Sequence, residues 1–116
     1  MAHNPEHQAC IDACFKCASV CNHCASACLK EEDVKMLTRC IELDLQCAIV
    51  CNAAGQLMSL GGEHATHLCQ ECAEICDACA EECEKHAQHG MEHCRECAEV
   101  CRRCAEECRK MVGAAA

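Results

Sequence analysis

The cysteines of this chain recur at alternating intervals of three and four residues, and this spacing constrains the fold more than any other feature. Nineteen of the 116 residues are cysteine. Side chains three and four residues apart lie on one face of an α-helix. The core-facing side of each predicted helix therefore carries thiols, where most soluble bundles carry leucine and isoleucine. The cysteines are Cys10, Cys14, Cys17, Cys21, Cys24, Cys28, Cys40, Cys47, Cys51, Cys69, Cys72, Cys76, Cys79, Cys83, Cys94, Cys97, Cys101, Cys104 and Cys108.

Helix-start and helix-stop residues divide the chain into four segments. Asn4 before Pro5 is a typical helix start, and Asp33 is the predicted cap of the second helix. Glycines at Gly61 and Gly90 end the second and third helices. Four long helices with short links predict an all-α fold, an antiparallel up-down four-helix bundle with a cysteine-lined core. We expect one domain over residues 1–116, with helices at about 5–30, 34–60, 63–87 and 91–112.

The helices also repeat one sequence frame. The third helix reads CQECAEICDACAEECEKH and the fourth reads CRECAEVCRRCAEECRKM, with 12 of 18 positions identical. The first helix carries the same frame from Cys14 onward. The second helix is the divergent copy, because Asp44 stands where the first has Cys14. Small and aliphatic residues flank the cysteines in each copy, so we expect alanine, isoleucine and valine to form the helix–helix seams.

Bulk composition excludes several classes of protein. The net charge of −9, with no basic cluster, argues against binding to nucleic acid. No apolar stretch of about 18 residues exists, so no membrane span is predicted. The first eight residues lack the basic and apolar regions of an export signal, which favours the cytoplasm, where thiols stay reduced. With Phe15 as the only aromatic residue, the conventional core is thin, and bound metal is expected to add stability.

Several sulfur chemistries fit this pattern poorly. Intrahelical disulfides would distort the helix, and an odd cysteine count argues against a disulfide scaffold. The ferredoxin cysteine run is absent, and so are the Glu-x-x-His pairs of carboxylate di-iron bundles. A redox enzyme with one C-x-x-C pair is disfavoured, since no unique pair or βαβ context exists. Zinc is the stronger rival, although a continuous ladder of thiols offers no obvious division into groups of four.

Copper(I) fits the thiol ladder best. It is a soft ion that prefers thiolate and thioether ligands. It also accepts two or three ligands, so neighbouring sulfurs can share ions along the axis. Each Cu⁺ displaces about one thiol proton, which leaves the charge of the core nearly unchanged as it fills. A divalent ion would add charge to a low-dielectric interior unless it took more thiolates.

The repeated frame C-x-x-C-A-x-[IV]-C-x-x-C-A-x-x-C, with the divergent stretch Cys40…Asp44…Cys47…Cys51, resembles the copper storage proteins, specifically their cytosolic, cysteine-rich branch. The resemblance covers essentially the whole chain. It implies a bundle that stores many Cu(I) ions and assembles as a homo-oligomer, expected to be a tetramer. The resemblance implies that all nineteen cysteines bind metal and that copper enters the bundle near His86 and His93.

A few other side chains are candidate ligands. His86 extends the cysteine stripe of the third helix, and His93 directly precedes Cys94 at the same end of the bundle. Asp44 lies on the axis as either an oxygen ligand or a hydrogen-bond partner for thiols, and the sequence leaves both open. At the opposite end we expect His7, Met58 and Met111 to form an apolar plug, and the alternative is that the methionine thioethers pass Cu⁺ inward. Acidic runs such as Glu81-Glu82 are interpreted as solvated surface.

The sequence therefore predicts a protein that binds metal and catalyses no reaction. The favoured function is cytosolic storage and sequestration of many Cu(I) ions, for detoxification or copper supply. The alternative is a zinc or mixed-metal thiolate buffer. The expected partners are copper ions and further copies of this chain, with no nucleic acid and no membrane.

Overall fold

The structure, a computed structural model, describes residues 5–115, with side chains from residue 7 to residue 113. Four α-helices follow one another along the chain, with a short 3₁₀ turn before the second. No helix within these residues is both long enough and apolar enough to span a bilayer. The elements are α1 (Pro5–Leu29), η1 (Val34–Leu37), α2 (Thr38–Leu60), α3 (Ala65–Ala87) and α4 (Glu92–Ala115).

The start of the second helix differs from the prediction. The stretch from Val34 to Leu37 is a 3₁₀ turn, and the α-helix begins only at Thr38. Asp33 forms no side-chain capping bond, so its predicted capping role is wrong. Its backbone carbonyl instead accepts a hydrogen bond from the Met36 amide at 3.0 Å. The predicted cap Asn4 lies outside the described residues.

The end of α2 follows ordinary helix-stop chemistry. Gly61 has φ of +70°, a left-handed conformation that glycine adopts without a Cβ penalty. The Gly62 amide donates to the Leu57 carbonyl and the Gly61 amide to the Met58 carbonyl, at 2.9 and 3.1 Å. This pair of bonds satisfies carbonyls that the last helical turn would otherwise leave unpaired. The chain can therefore reverse direction within a few residues and begin α3.

Each helix packs against two neighbours, and together the four enclose one central axis. The packed pairs are α1 with α2, α2 with α3, α3 with α4, and α4 with α1. The structure confirms the predicted antiparallel four-helix bundle, with extents of 49 × 19 × 18 Å. Buried alanines lie at the seams, where a small side chain allows close helix approach: Ala18, Ala48, Ala73 and Ala98.

The two ends of the bundle are distinct surfaces. The polar end contains the α1–α2 connection, residues 30–37, and the α3–α4 connection, residues 88–91. The thioether end contains the α2–α3 connection, residues 61–64, together with the first turns of α1 and the last turns of α4. Between these ends, all nineteen cysteines are buried, each with no more than 1% of its surface exposed. The axis of the bundle is consequently lined by sulfur along its length.

Candidate metal centre

Thiols from all four helices contact one another along the axis. Cys51 of α2 lies 3.4 Å from Cys72 of α3, measured between sulfur atoms. Cys21 of α1 lies 3.6 Å from Cys101 of α4. Within one helix, the sulfurs of Cys47 and Cys51 are 3.8 Å apart. All nineteen cysteines are free thiols. The helices thus hold many soft donor atoms at spacings that a single bridging ion can span.

Groups of four thiols occur repeatedly along this axis, with all four sulfurs within 4.8 Å of one another. Four such groups share no member and together use sixteen of the nineteen cysteines. The expectation that the ladder offers no division into fours is therefore wrong, because the division arises from contacts between helices and not from spacing within one. From the thioether end to the polar end the groups are Cys14, Cys72, Cys104, Cys108; Cys17, Cys47, Cys51, Cys76; Cys21, Cys79, Cys97, Cys101; and Cys24, Cys28, Cys40, Cys94.

Hydrogen bonds between neighbouring thiols shift their pKa values in both directions, down for Cys47 and up for Cys21 and Cys24. Hydrogen bonding with Cys101 and Cys17, reinforced by burial, raises the pKa of the Cys21 thiol. Hydrogen bonding with Cys28, again reinforced by burial, raises the pKa of Cys24. Because the thiolate is the metal ligand, each bound ion must displace protons from such a core. Metal uptake is therefore coupled to proton release.

Asp44 is fully buried on the axis among these thiols. Its Oδ1 atom accepts hydrogen bonds from Cys79 at 3.1 Å and Cys97 at 3.3 Å, and weaker contacts come from Cys83 and Cys40. Burial, together with the electrostatic effect of Cys97 and Cys40, raises the pKa of this carboxyl to about 9. In the metal-free protein Asp44 is thus a neutral hydrogen-bond partner for thiols. Its role as an oxygen ligand stays a prediction.

His86 lies at the polar end, with 12% of its side chain exposed. Its Nε2 atom is 2.9 Å from the Glu82 carboxylate one turn earlier. Glu82 is itself buried, which corrects its interpretation as solvated surface. Although burial opposes ionisation, the hydrogen bond from His86 and the charge of Lys85 hold the pKa of Glu82 below its usual range. Arg39 of α2 also pairs with Glu82, at 3.5 Å.

His93 occupies the same end but is held differently. Its Nε2 atom is shielded from solvent and has no hydrogen-bond partner. The nearest carboxylate oxygen, from Glu31, is 3.7 Å away, which is beyond hydrogen-bond distance. The structure therefore places both predicted histidines at the polar end, one bonded to a carboxylate through Nε2 and one whose Nε2 atom has no hydrogen-bond partner. His89, in the connection between them, is exposed.

Thioether sulfur closes the opposite end. Met58 is almost completely buried, and its sulfur accepts a contact from the Cys69 thiol at 3.6 Å. His7 and Met111 are half-buried. Of the remaining histidines, His23, His64 and His67 are exposed.

Sequence reasoning missed two buried side chains at the polar end. Glu82 looked like one half of a surface acidic pair, yet it lies four residues before His86 on the same helical face, and this spacing was the available signal. Leu37 is fully buried beneath the polar end, in the 3₁₀ turn. Its burial had no sequence signal, because an unbroken second helix was expected there.

The fold and this site define a class: four-helix bundles that hold soft metal ions on cysteines along the core. Comparison with known proteins narrows the class. The sequence model of the copper storage protein family matches residues 3–113. The chain belongs to the copper storage protein family.

Solved structures of similar proteins have the same fold. A Cu(I)-bound copper storage protein, BsCsp3, is 41% identical with a TM-score of 0.85, and the match covers 92% of this chain and 98% of that one. A cytosolic copper storage protein from Streptomyces lividans with five coppers is 40% identical with a TM-score of 0.89, covering 93% and 92%. The Streptomyces lividans protein Ccsp, loaded with 10 copper equivalents, is 42% identical with a TM-score of 0.86, covering 90% and 81%.

A further similarity is to the uncharacterised cysteine-rich protein YhjQ of Bacillus subtilis, strain 168. The two sequences are 43% identical over 62 residues, which is 53% of this chain. The match spans 57% of the length of that relative.

Proposed function

We propose that this protein stores and sequesters many Cu(I) ions in the cytoplasm. The observation that carries the proposal is the continuous set of buried thiols, in which sulfurs from four helices lie 3.4 to 4.0 Å apart. Bridging by shared thiolates lets the number of bound ions approach the number of cysteines. The similar structures that contain copper, one of them named as cytosolic, support both the ion and the location. The proposed role is binding, with no catalysed reaction.

Zinc or a mixed-metal load is the alternative, and the thiol groups of four make its capacity explicit. Nineteen cysteines cannot supply more than four separate sets of four ligands, and the structure contains four such sets. Each tetrathiolate zinc centre would keep two negative charges in the interior, which is costly without a counter-charge. A Cu⁺ ion on one thiolate adds none. Dense loading of the axis therefore favours Cu(I) over a divalent ion.

Anaerobic metal titration of the reduced protein tests this proposal. We expect Cu(I) to bind at well over about ten ions per chain, since thiolates bridge, and Zn(II) to saturate at about four. The measurement is elemental analysis after removal of unbound metal. Three cysteines lie outside the four groups, and the matched variant replaces them with Ser: Cys10, Cys69 and Cys83. This variant should keep the zinc capacity of the wild type but bind fewer copper ions. Copper saturation at four or fewer ions would contradict storage.

We propose further that the chain forms a homo-oligomer through the outer face of α1 and α2. Exposed apolar side chains lie on this face, and the outward positions between them are uncharged, although a quarter of the chain is charged. The face begins near Phe15, whose ring packs on Gly55 so closely that a Cβ there would lie 2.8 Å from it. Its exposed residues are Phe15, Ser19, Asn22, Ser26 and Leu29 of α1, and Leu45, Ile49, Asn52 and Gln56 of α2.

A second copy is the occupant that suits this face, because an uncharged surface can meet its own copy without charge repulsion. The other half of the surface, on α3 and α4, is instead covered by ion pairs such as those of Arg102 with Asp77 and Glu84. Replacing Ile49 with Glu should dissociate the assembly, expected to be a tetramer, whereas Gln70→Glu on α3 adds the same charge and should not. If light scattering gave the molar mass of a monomer for the wild type, the proposal would be contradicted.

A further inference from the structure

Glu82 is a buried carboxylate that no storage role yet explains. It is 8% exposed and lies beside the cysteine stripe of α3, between Cys79 and Cys83. Its Oε1 atom is 3.4 Å from the Lys85 ammonium and 3.5 Å from the Arg39 guanidinium. Its Oε2 atom is 2.9 Å from Nε2 of His86. Both cations thus pair with Oε1, and Oε2 bonds to the histidine.

We propose that Glu82 is a positioning residue that fixes His86 as a copper ligand at the polar end, through the Nδ1 atom of its ring. A carboxylate paired with two cations can only accept a hydrogen bond, so the Nε2 atom of His86 must carry the proton. In the neutral ring the lone pair then lies on Nδ1. Carboxylates that orient metal-binding histidines through the other ring nitrogen are a recurrent arrangement in proteins. This inference rests on the proposed storage of copper.

The position of His86 suits this role. It lies three residues after Cys83, whose sulfur is 3.6 Å from that of Cys40. An imidazole fixed at the rim can take an ion from solution and pass it to these thiols. His93 provides the contrast within the same end, because its Nε2 atom has no hydrogen-bond partner. Of the two histidines, only His86 has its ring orientation and tautomer set by a carboxylate.

A purely structural role for Glu82 makes a different prediction. The contact with Arg39 ties α2 to α3, and Glu82 could serve that tie alone. Arg39→Gln removes the tie but keeps the bond to His86. Glu82→Gln keeps the shape of the side chain, but its amide can donate as well as accept, so the tautomer is no longer enforced. Glu81→Gln is the matched control, since it removes the same charge from the exposed neighbouring residue.

The first measurement is the tautomer of His86 in the metal-free protein, from long-range proton–nitrogen NMR correlations of the imidazole. We expect a proton on Nε2 in the wild type, in Glu81→Gln and in Arg39→Gln, and a mixture of tautomers in Glu82→Gln. A proton on Nδ1 in the wild type would overturn the proposal. This result does not depend on copper, so it stands or fails separately from the storage function.

The second measurement is the rate of Cu(I) loading from a chelator, with total capacity determined in parallel. Glu82→Gln should slow loading several-fold and leave capacity unchanged, because Glu82 is not itself a ligand. In a His86→Ala background, Glu82→Gln should not slow loading further, since Glu82 acts on loading only through His86. Additive slowing in the double variant, or equal slowing by Arg39→Gln, would assign Glu82 a structural role. Low capacity in the wild type would instead contradict the storage function.

Discussion

The polar end and the thioether end close the same sulfur axis with different chemistry. At the polar end, His86 and His93 stand beside the last thiols, and charged side chains surround them. At the thioether end, Met58 is buried against Cys69, and the flanking His7 and Met111 are half-buried. Imidazole binds Cu⁺ less tightly than thiolate, so it can hold an ion briefly and release it inward. If the protein stores copper as proposed, we expect the axis to set the capacity and the ends to govern the exchange of ions with solution.

Copper loading should produce the largest change, and it should stabilise both ends. When an ion binds only the folded state and its free concentration is about a thousand times its dissociation constant, it adds about 4 kcal/mol to the free energy of unfolding. For a chain of this size that corresponds to a rise in thermal midpoint of about 15 °C or more. We expect a helical metal-free protein by circular dichroism, because the alanine, isoleucine and valine seams do not need metal.

Hydrogen exchange of the loaded protein locates this stabilisation. Protection should rise near Cys14 and Cys108 at the thioether end as well as near Cys28 and Cys94 at the polar end, since a group of four thiols lies at each. A gain limited to one end would confine storage to that half. A random-coil spectrum for the metal-free protein would contradict the pre-formed bundle.

The next largest effect is a pH dependence of stability that arises from Asp44, in the half of the axis nearer the polar end. The pKa of this carboxyl is about 9 in the folded protein and about 4 when unfolded. The folded state therefore binds the proton more tightly, so the contribution of this group to stability is fully present below pH 4 and is lost as the pH rises towards 9. Between pH 5 and pH 7 this group should lower the free energy of unfolding of the metal-free protein by about 2.7 kcal/mol, at about 1.36 kcal/mol for each pH unit.

Denaturant unfolding at several pH values checks this dependence. Asp44→Asn keeps a neutral polar side chain at the same position, so it should flatten the curve. Asp33→Asn is the matched control at an exposed position and should leave the slope unchanged. An unchanged slope in Asp44→Asn would show that the carboxyl is already ionised in the folded protein.

The route by which copper enters distinguishes the ends most directly. Replacing His86 and His93 with Ala should slow copper loading and chelator-driven removal about tenfold, equivalent to about 1.4 kcal/mol in the barrier. Final capacity should be almost unchanged, because the thiols remain. The matched variant replaces His7, Met58 and Met111 with Leu at the thioether end and should load at the wild-type rate. If only the second variant is slow, copper enters at the thioether end.

The sequence was sufficient to predict the sulfur axis but not the details of its ends. The positions of Cys10 to Cys28 on one face follow from helical periodicity, so their burial was predictable. The groups of four were not, because each combines residues such as Cys17 and Cys76 that are distant in sequence and depend on how the helices align. The same limitation applies to Asp44, because the burial that raises its pKa depends on how the other helices pack around it.

At the polar end, local pattern was misleading. Glu82 follows another glutamate, and such a pair usually lies on the surface. Only the contacts with Arg39 of α2 and His86 show why a carboxylate is buried there. The 3₁₀ turn that buries Leu37 is a second example, because its four residues also suit the first turn of an α-helix.

The smallest expected effect concerns Met58, and it distinguishes a plug from a transit ligand at the thioether end. Leucine has nearly the same volume and apolar character, so Met58→Leu should change the free energy of unfolding by less than about 1 kcal/mol. The contact of the Met58 sulfur with the Cys69 thiol is a weak hydrogen bond, and its loss adds little. Denaturant unfolding measures the stability, and stopped-flow loading measures the rate. Under the plug interpretation neither changes appreciably, whereas a loading rate reduced with unchanged stability would make the thioether a ligand on the entry path.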